Sequence, residues 1–598
     1  MHAKNCKGNI LIVALILIVV VSGLVVVAVN VTDNSAHFAD RSRDFVSAQS
    51  AAEGAVDHAF AIWKRRINSQ NRAINTTEAN ASLAAPTFTD YSYATVAEDG
   101  PLKVEALDEY GAPVSNPTRV TVDLDKYPGW RGNSYSYSAR AKMKQTGVAS
   151  GPSAGIKRQF QYSEVPLFQS MFFFENDLEF YKPAAMIVSG LVHTNDRLYA
   201  SYADNSSLTF QDQVSYVTSY LSDNPTTDVP AGAAAWSAPG HMNPAIFEDG
   251  ITNQLHKVPR FEPLGSEPAS VLSKTDSNPN NDSFRELIEP PNTSFSDPPE
   301  IAKRRLYNKA GIRININGAA VTVTPQNGTT LSTTQQTAIA SSVNARNTIY
   351  DAREGKNVDV ATLDISALRT AMGSGVYGFN NVLYVNDTTP LTTGNMEPKT
   401  IRLKNGGILP SEGITIASEN AVYIQGDYNT GTTTNPSSVP SNNGGNAGNA
   451  DSPTVTGYDR KPAAVIGDAV MLLSNNWNDA NSSLDVSSRA ASHTTYNTAI
   501  VSGFMPSGYV PTSGSTYGYS GGGNNFPRFL ENWGSQYCTY YGSMVQLYQS
   551  KTFTGRWDTG VIYRPPNRCW NFDTNYRSSP PPGTLDAASW TRGSWAKY

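Results

Sequence analysis

Between Ile10 and Val29 the chain runs for twenty residues without a charged side chain, ILIVALILIVVVSGLVVVAV. At 1.5 Å per residue a helix of this length covers roughly 30 Å, the thickness of a bilayer's hydrocarbon core. A helix that is apolar on every side has no face to give to water, so it must end in lipid or inside a protein core. Lys4 and Lys7 precede the run, and this positive flank favours a cytoplasmic N-terminus with the rest of the chain across the membrane. A cleaved secretory signal would have a shorter apolar region and a small-residue cleavage site, whereas Asn30-Val31-Thr32-Asp33 follows directly here. The sequence therefore predicts a single-pass inner-membrane anchor carrying an exported C-terminal part.

The pattern does not stop at the membrane. Val31, Phe38, Phe45, Ala52 and Ala59 recur every seven residues, with Ala48, Ala55 and Ile62 on the adjoining stripe. The other face carries Asp40, Arg41, Arg43, Asp44 and Lys64, and no proline interrupts the stretch. One helix is expected over 9–69, spanning the bilayer at 10–29 and amphipathic beyond it.

Lys7-Gly8-Asn9 followed by this run resembles a prepilin processing site, and Ala48-Gln49-Ser50-Ala51-Ala52-Glu53-Gly54-Ala55 resembles the N-terminal region of PilX-type minor pilins and pilus assembly proteins. The resemblance covers about the first sixty residues. It implies cleavage between Gly8 and Asn9 by a prepilin peptidase, removing the leader 1–8, and a stem that packs against other pilin subunits. Ile10, Val13, Leu17, Val31, Phe38 and Phe45 are the stem residues expected to make those contacts. A typical pilin has Glu where this chain has Val13, a departure that separates it from ordinary major subunits and fits the narrower PilX-type group.

Over the whole chain only 16% of residues are charged and the formal net charge is −5, which argues against a nucleic-acid partner. Abundant Gly, Pro and Tyr with a modest apolar fraction suit many short strands joined by turns. Alternation at Val120, Val122 and Leu124, and at Tyr135, Tyr137, Ala139, Ala141 and Met143, predicts half-buried strands. With a third near 156–165 they form a small antiparallel sheet within 70–165, on which the stem's amphipathic half can lie. From 166 to 598 short apolar runs end at glycine, as in Ile187-Val188-Ser189-Gly190, Tyr423-Ile424-Gln425-Gly426, Val465-Ile466-Gly467 and Ile500-Val501-Ser502-Gly503. This favours an irregular β solenoid over a sandwich, although no fixed period repeats. The fold class expected is thus α+β, with mobile surface loops at 263–299 and 430–453 and short helices at 334–352 and 359–372.

Two cysteines lie in the exported part. An oxidising compartment favours a Cys538–Cys569 bridge over two thiols, worth about 3–4 kcal/mol by chain entropy. Gly518-Tyr519-Ser520-Gly521-Gly522 matches G-x-S-x-G without the strand and helix that a nucleophile elbow needs, and nothing brings His493 to it. Asp479, Asn481 and Asp485 alternate as calcium ligands can, but without the glycine and bidentate glutamate of an EF-hand loop. Glu175, Asp177 and Glu179 would share a strand face, as a glycosidase pair requires, yet acidic strand edges also serve solubility. His193 reads as a turn residue. Six tryptophans, Trp477, Trp533, Trp557, Trp570, Trp590 and Trp595, crowd the C-terminal part of the chain, more simply explained as buried than as a sugar-binding stripe. No catalytic, cofactor-binding or metal-binding set emerges. The expected role is a non-catalytic pilus component, with a membrane-anchored adhesin for a surface polysaccharide, or a tethered polysaccharide-active enzyme, as alternatives.

Overall fold

The structure is a computed structural model, and it describes residues 9–598 except 71, 82, 149–150, 182, 223–241, 374–375, 392–395, 434–457, 508–519, 556 and 558–560. A single helix, Asn9–Gln70, opens the chain. Its hydroxyl residues do not break it, because Thr32, Ser35 and Ser50 donate to the carbonyls of Ala28, Val31 and Val46 one turn back. Ile10 through Val46 lie largely exposed, whereas Ala48, Ala52, Ala55, Val56, Ala59, Trp63 and Ile67 are fully buried. Small alanines on this stripe let the backbone approach a sheet closely, and the larger Phe60, Trp63 and Ile67 then fill the space beneath it.

The described residues form two compact units. The first comprises the helix and the chain to Val120, together with Ser134–Tyr162 and Trp590–Tyr598. Its sheet runs in the order Pro113–Val114, Lys103–Leu107, Arg131–Gln145, Ser153–Pro166, Asp586–Lys597, with Tyr91–Tyr93 also paired to Arg131–Gln145. Tyr91–Tyr93 and Lys103–Leu107 pair antiparallel with the long central strand, Tyr91 opposite Gln145 and Lys103 opposite Arg140. The alternation read from sequence holds in the second half of the strand, where Tyr137, Ala139, Ala141 and Met143 are buried while Arg140, Lys142 and Lys144 are not; Tyr135 is only half-buried, and Ser134 and Ser138 are buried. Trp63 centres the core, edge-on to Tyr137 at 4.8 Å and Trp590 at 5.3 Å and stacked on Phe160 at 5.6 Å.

Three expectations change here. The sheet reaches along the helix only to Asp44, whose carbonyl accepts from Tyr91 Oη, so it covers neither Phe38 (75% exposed) nor Phe45 (40% exposed). The C-terminal strand joins this sheet, although the sequence placed it with the β-rich remainder. Residues 121–133 belong with the second unit, so the boundary is not the simple cut at 165 and 166.

The second unit, Thr121–Asn133 and Ser163–Ser589, is built from parallel ladders. Phe172–Phe174, Val192–Thr194, Val214–Tyr216 and Leu255–Lys257 stack in one ladder. Leu178–Tyr181, Leu198–Ala203 and Tyr220–Leu221 stack in a second, and Met186–Val188, Leu208–Phe210 and Ile246–Phe247 in a third. Two further ladders follow. One contains Val382–Asp387, Ile414–Ala417, Ala463–Gly467, Thr494–Ser502 and Tyr537–Gln546; the other contains Lys356–Asp364, Lys399–Lys404, Ala421–Gln425, Val470–Leu473 and Arg528–Phe529. Tyr537–Gln546 also pairs with Phe172–Phe174, so early and late parts of this unit share one sheet. The glycines that close the apolar runs sit at the corners. Gly190 and Gly426 have φ of 95° and 82°, a region side chains rarely tolerate, and a Cβ on Gly190 would fall 2.4 Å from Phe572.

Residues 263–299, expected as a mobile surface loop, are packed. Phe284, Leu287 and Ile288 are buried, and Arg305, wholly buried, holds Glu286 and Asp297 at 3.0 and 2.9 Å. The segment's polar composition serves internal ion pairs rather than solvent. The other expected loop, 430–453, lies outside the described residues from 434 onward. The helices expected at 334–352 and 359–372 are shorter. Thr333–Ala340 forms behind a Ser332/Gln335 capping box and Ile365–Met372 behind Asp364, with strands Val343–Asp351 and Lys356–Asp364 taking the rest.

Candidate functional site

Two surfaces stand apart from the packed cores, the bare half of the stem and a polar groove on the parallel-strand unit. On the stem, Ile10, Val13, Leu17 and Val31 are between 58% and 73% exposed, and every other residue of the run is open as well. This helix is long and apolar enough to cross a membrane, and none of its most apolar window is buried by the rest of the chain. Leaving that surface in water costs roughly 25 cal/mol for each Å², so it requires lipid or neighbouring apolar helices. Asn9 begins the helix; Gly8, the other residue of the expected processing site, lies outside the described residues.

The groove, of about 880 Å³, runs between helix Ile365–Met372 and the ends of the strands in the second of the later ladders. Asp364, Lys404 and Gln425 occupy one register row across three neighbouring strands, and each contributes to its wall. Adjacent strands lie about 4.8 Å apart, so the row places a polar side chain at each step. The carboxylates are already engaged. Asp364 caps the Ala367 amide at 2.9 Å and accepts from Asn405 at 2.6 Å, while Asp427 accepts from the Thr495 amide and Asn475, both at 2.9 Å. Burial pushes the Asp427 carboxyl up to about 6. The cations are not engaged in this way: Lys404 and Arg369 form no ion pair among the described residues, and Arg369 Nε has no hydrogen-bond partner. Gln425, only 8% exposed, donates through Nε2 to the Trp477 carbonyl, and among the described residues its Oε1 has no donor. None of these residues stood out in the sequence. The signal was present in the polar tails of successive apolar runs, Lys404-Asn405-Gly406, Gln425-Gly426-Asp427 and Ser474-Asn475, which register stacking brings together.

The residues singled out by motif go elsewhere. Glu175 precedes its strand and pairs with Arg260 and Asn195, Asp177 pairs with Arg197 at 2.9 Å, and Glu179 is buried against Ser507 and Ser520. Each carboxylate thus has its own protein partners rather than a shared strand face. Burial raises Glu179 to about 7. Ser520 donates to Glu179 at 2.9 Å, and His493 accepts from the Tyr537 amide instead of approaching Ser520. Asp479 accepts from Arg402, Trp477 and Asn347, and no cluster suited to a metal occurs among the described residues. His193 is not in a turn. It lies in a parallel ladder, buried between Ser215 Oγ and Asn195 Oδ1 at 2.8 and 2.9 Å, and burial lowers its imidazole to about 4. Of the six tryptophans expected to be buried, Trp477, Trp533 and Trp570 are, whereas Trp557 and Trp590 are half-buried and Trp595 is 40% exposed.

The expected Cys538–Cys569 disulfide does not form. The two cysteines lie on neighbouring parallel strands, but Cys538 is opposite Arg568 and Thr539 is opposite Cys569. They are one residue out of register, so their side chains leave opposite faces of the sheet. Both thiols are buried, and burial pushes Cys538 up to about 12.

No protein-family model matches the chain, and no curated protein does. Among solved structures, the crystal structure of the competence-associated pilin ComZ from Thermus thermophilus is similar at 11% identity, over 93% of this chain and 97% of that one, with a TM-score of 0.28. At that score the likeness is too distant to carry an argument about fold or function.

Proposed function

We propose that the chain is a non-catalytic, PilX-type minor pilin or pilus assembly protein that displays a large β region outside the cell. The observation that carries this reading is the change of environment along one unbroken helix. The half from Ile10 to Val29 is apolar and bare, and the half from Ala48 to Ile67 lies under an antiparallel sheet. A stem of this form can rest in the inner membrane and, once processed, exchange lipid for the stems of other subunits without refolding its head. Lys7-Gly8-Asn9 supplies the expected peptidase site, and Val13 replaces the usual acidic residue, which suits a rare or priming subunit better than a bulk one. The parallel ladders are read as an irregular β solenoid, because successive passes of the chain return to the same ladders in parallel; the antiparallel pairs Val343–Asp351 with Lys356–Asp364 and Met242–Pro244 with Leu198–Ala203 are among its irregularities.

The expected result is that mature protein from membranes or sheared filaments begins at Asn9 and co-purifies with the filaments. N-terminal sequencing of both fractions reads this directly. Retention of Met1, with the protein absent from filaments, would replace the pilus reading by that of a plain membrane-anchored surface protein. A start beyond Val29 would mean ordinary secretion.

A further inference from the structure

The groove beside helix Ile365–Met372 has a one-sided chemistry. Its two carboxylates are satisfied internally, whereas Lys404 and Arg369 have no carboxylate of their own among the described residues. The Gln425 acceptor is buried and lacks a donor among the described residues, and a buried polar atom of this kind is normally matched by a ligand group or water. The row Asp364, Lys404, Gln425 advances by one strand spacing per step, about 4.8 Å, which is close to the advance of one pyranose along a polysaccharide chain. An open groove accepts a chain in passing, whereas a closed pocket accepts only an end. Among the described residues its lining contains no aromatic ring, so these residues provide neither stacking on a neutral sugar nor stacking on a nucleic-acid base. The chain's net charge of −5 likewise lacks the broad positive field that duplex DNA selects.

We propose that this groove binds an acidic polysaccharide of the uronate class, whose carboxylates pair with Lys404 and Arg369 and whose hydroxyls donate to Gln425 Oε1. Arg369 offers a planar fork suited to two oxygens of one carboxylate, and Lys404 a point charge that follows a flexible chain. The inference concerns the parallel-strand unit alone and stands or falls separately from how the stem is processed.

The test uses the full-length chain in detergent micelles, with polygalacturonate as the probe and affinity electrophoresis as the readout. Polygalacturonate is expected to retard the protein, and added salt to weaken the retardation. K404A/R369A is expected to bind about tenfold more weakly or worse, since two charge-assisted contacts are lost. K404R is expected to retain binding, and K274A, which removes an exposed lysine away from the groove, to leave it unchanged. Circular dichroism of each variant separates lost binding from lost structure, and the exposed Lys404 gives a single variant, K404A, with no core contact to disturb. Absence of retardation, retardation unaffected in folded K404A/R369A, or equal retardation by dextran or by duplex DNA would each overturn the proposal.

Discussion

Asp468→Ala is expected to destabilise the parallel-strand unit by about 3–5 kcal/mol, the cost of breaking a buried ion pair from one side. Asp468 is fully buried at the corner after Ala463–Gly467. Its carboxylate takes the Arg285 guanidinium together with the backbone amides of Lys551, Thr552 and Phe553, the amides at 2.6, 2.9 and 3.1 Å. Alanine would leave Arg285, itself nearly buried, with Glu289 and the Glu419 carbonyl but without its main counter-charge, and would orphan three N–H groups. Asparagine should recover only part of the loss, because its amide nitrogen would face donors. Hydrogen exchange reads the effect locally: amides of Ala463–Gly467 and Thr494–Ser502 should lose protection, while those of the stem-bearing unit should not. Unchanged protection in the first set would mean that the corner does not hold the ladders together.

Trp63→Ala is the matching prediction for the first unit, again about 3–5 kcal/mol, as expected for truncating a large buried aromatic. Trp63 contacts Phe60, Tyr137, Phe160 and Trp590. It therefore joins the helix to the central strand and to the C-terminal strand in one cluster. Aromatic pairs in such edge-on and stacked arrangements add about 0.5–1.5 kcal/mol beyond their buried area. The cavity cannot close easily, because the helix backbone is held by the alanine stripe on one side and by Ile67 on the other. The variant should lose its near-ultraviolet dichroism from this cluster and expose amides of Arg131–Gln145 to exchange. Retention of both would show that the helix and sheet are held by something other than this packing.

How far the sequence could be read depended on the range of the interactions involved. The stem announced itself because both its periods are local: twenty uncharged residues and then a seven-residue recurrence. The central strand of the first unit was equally plain, since alternation at Tyr137, Ala139, Ala141 and Met143 needs no partner to be seen. Cys538 and Cys569 illustrate the opposite case. Their separation in sequence permits a bridge, but the one-residue offset that forbids it exists only once Tyr537–Gln546 and Asn567–Phe572 have paired. Residues 263–299 look like a loop because they are rich in Pro, Ser and Asn, and only long-range partners reveal that Arg285, Glu286 and Asp297 within them are held in internal ion pairs. The groove was hidden for the same reason. Asp364, Lys404 and Gln425 lie far apart along the chain, and they become neighbours through register alone.

If the proposed function holds, Ile10–Val29 resides in a bilayer and everything after it lies on the far side. Alkaline carbonate extraction of cell membranes, followed by protease treatment of intact spheroplasts, measures both halves at once. The full-length chain is expected to stay in the carbonate pellet, and protease added outside the spheroplasts to degrade its β region. Release of the chain into the carbonate supernatant, or full protection from external protease until the spheroplasts are lysed, would contradict that reading.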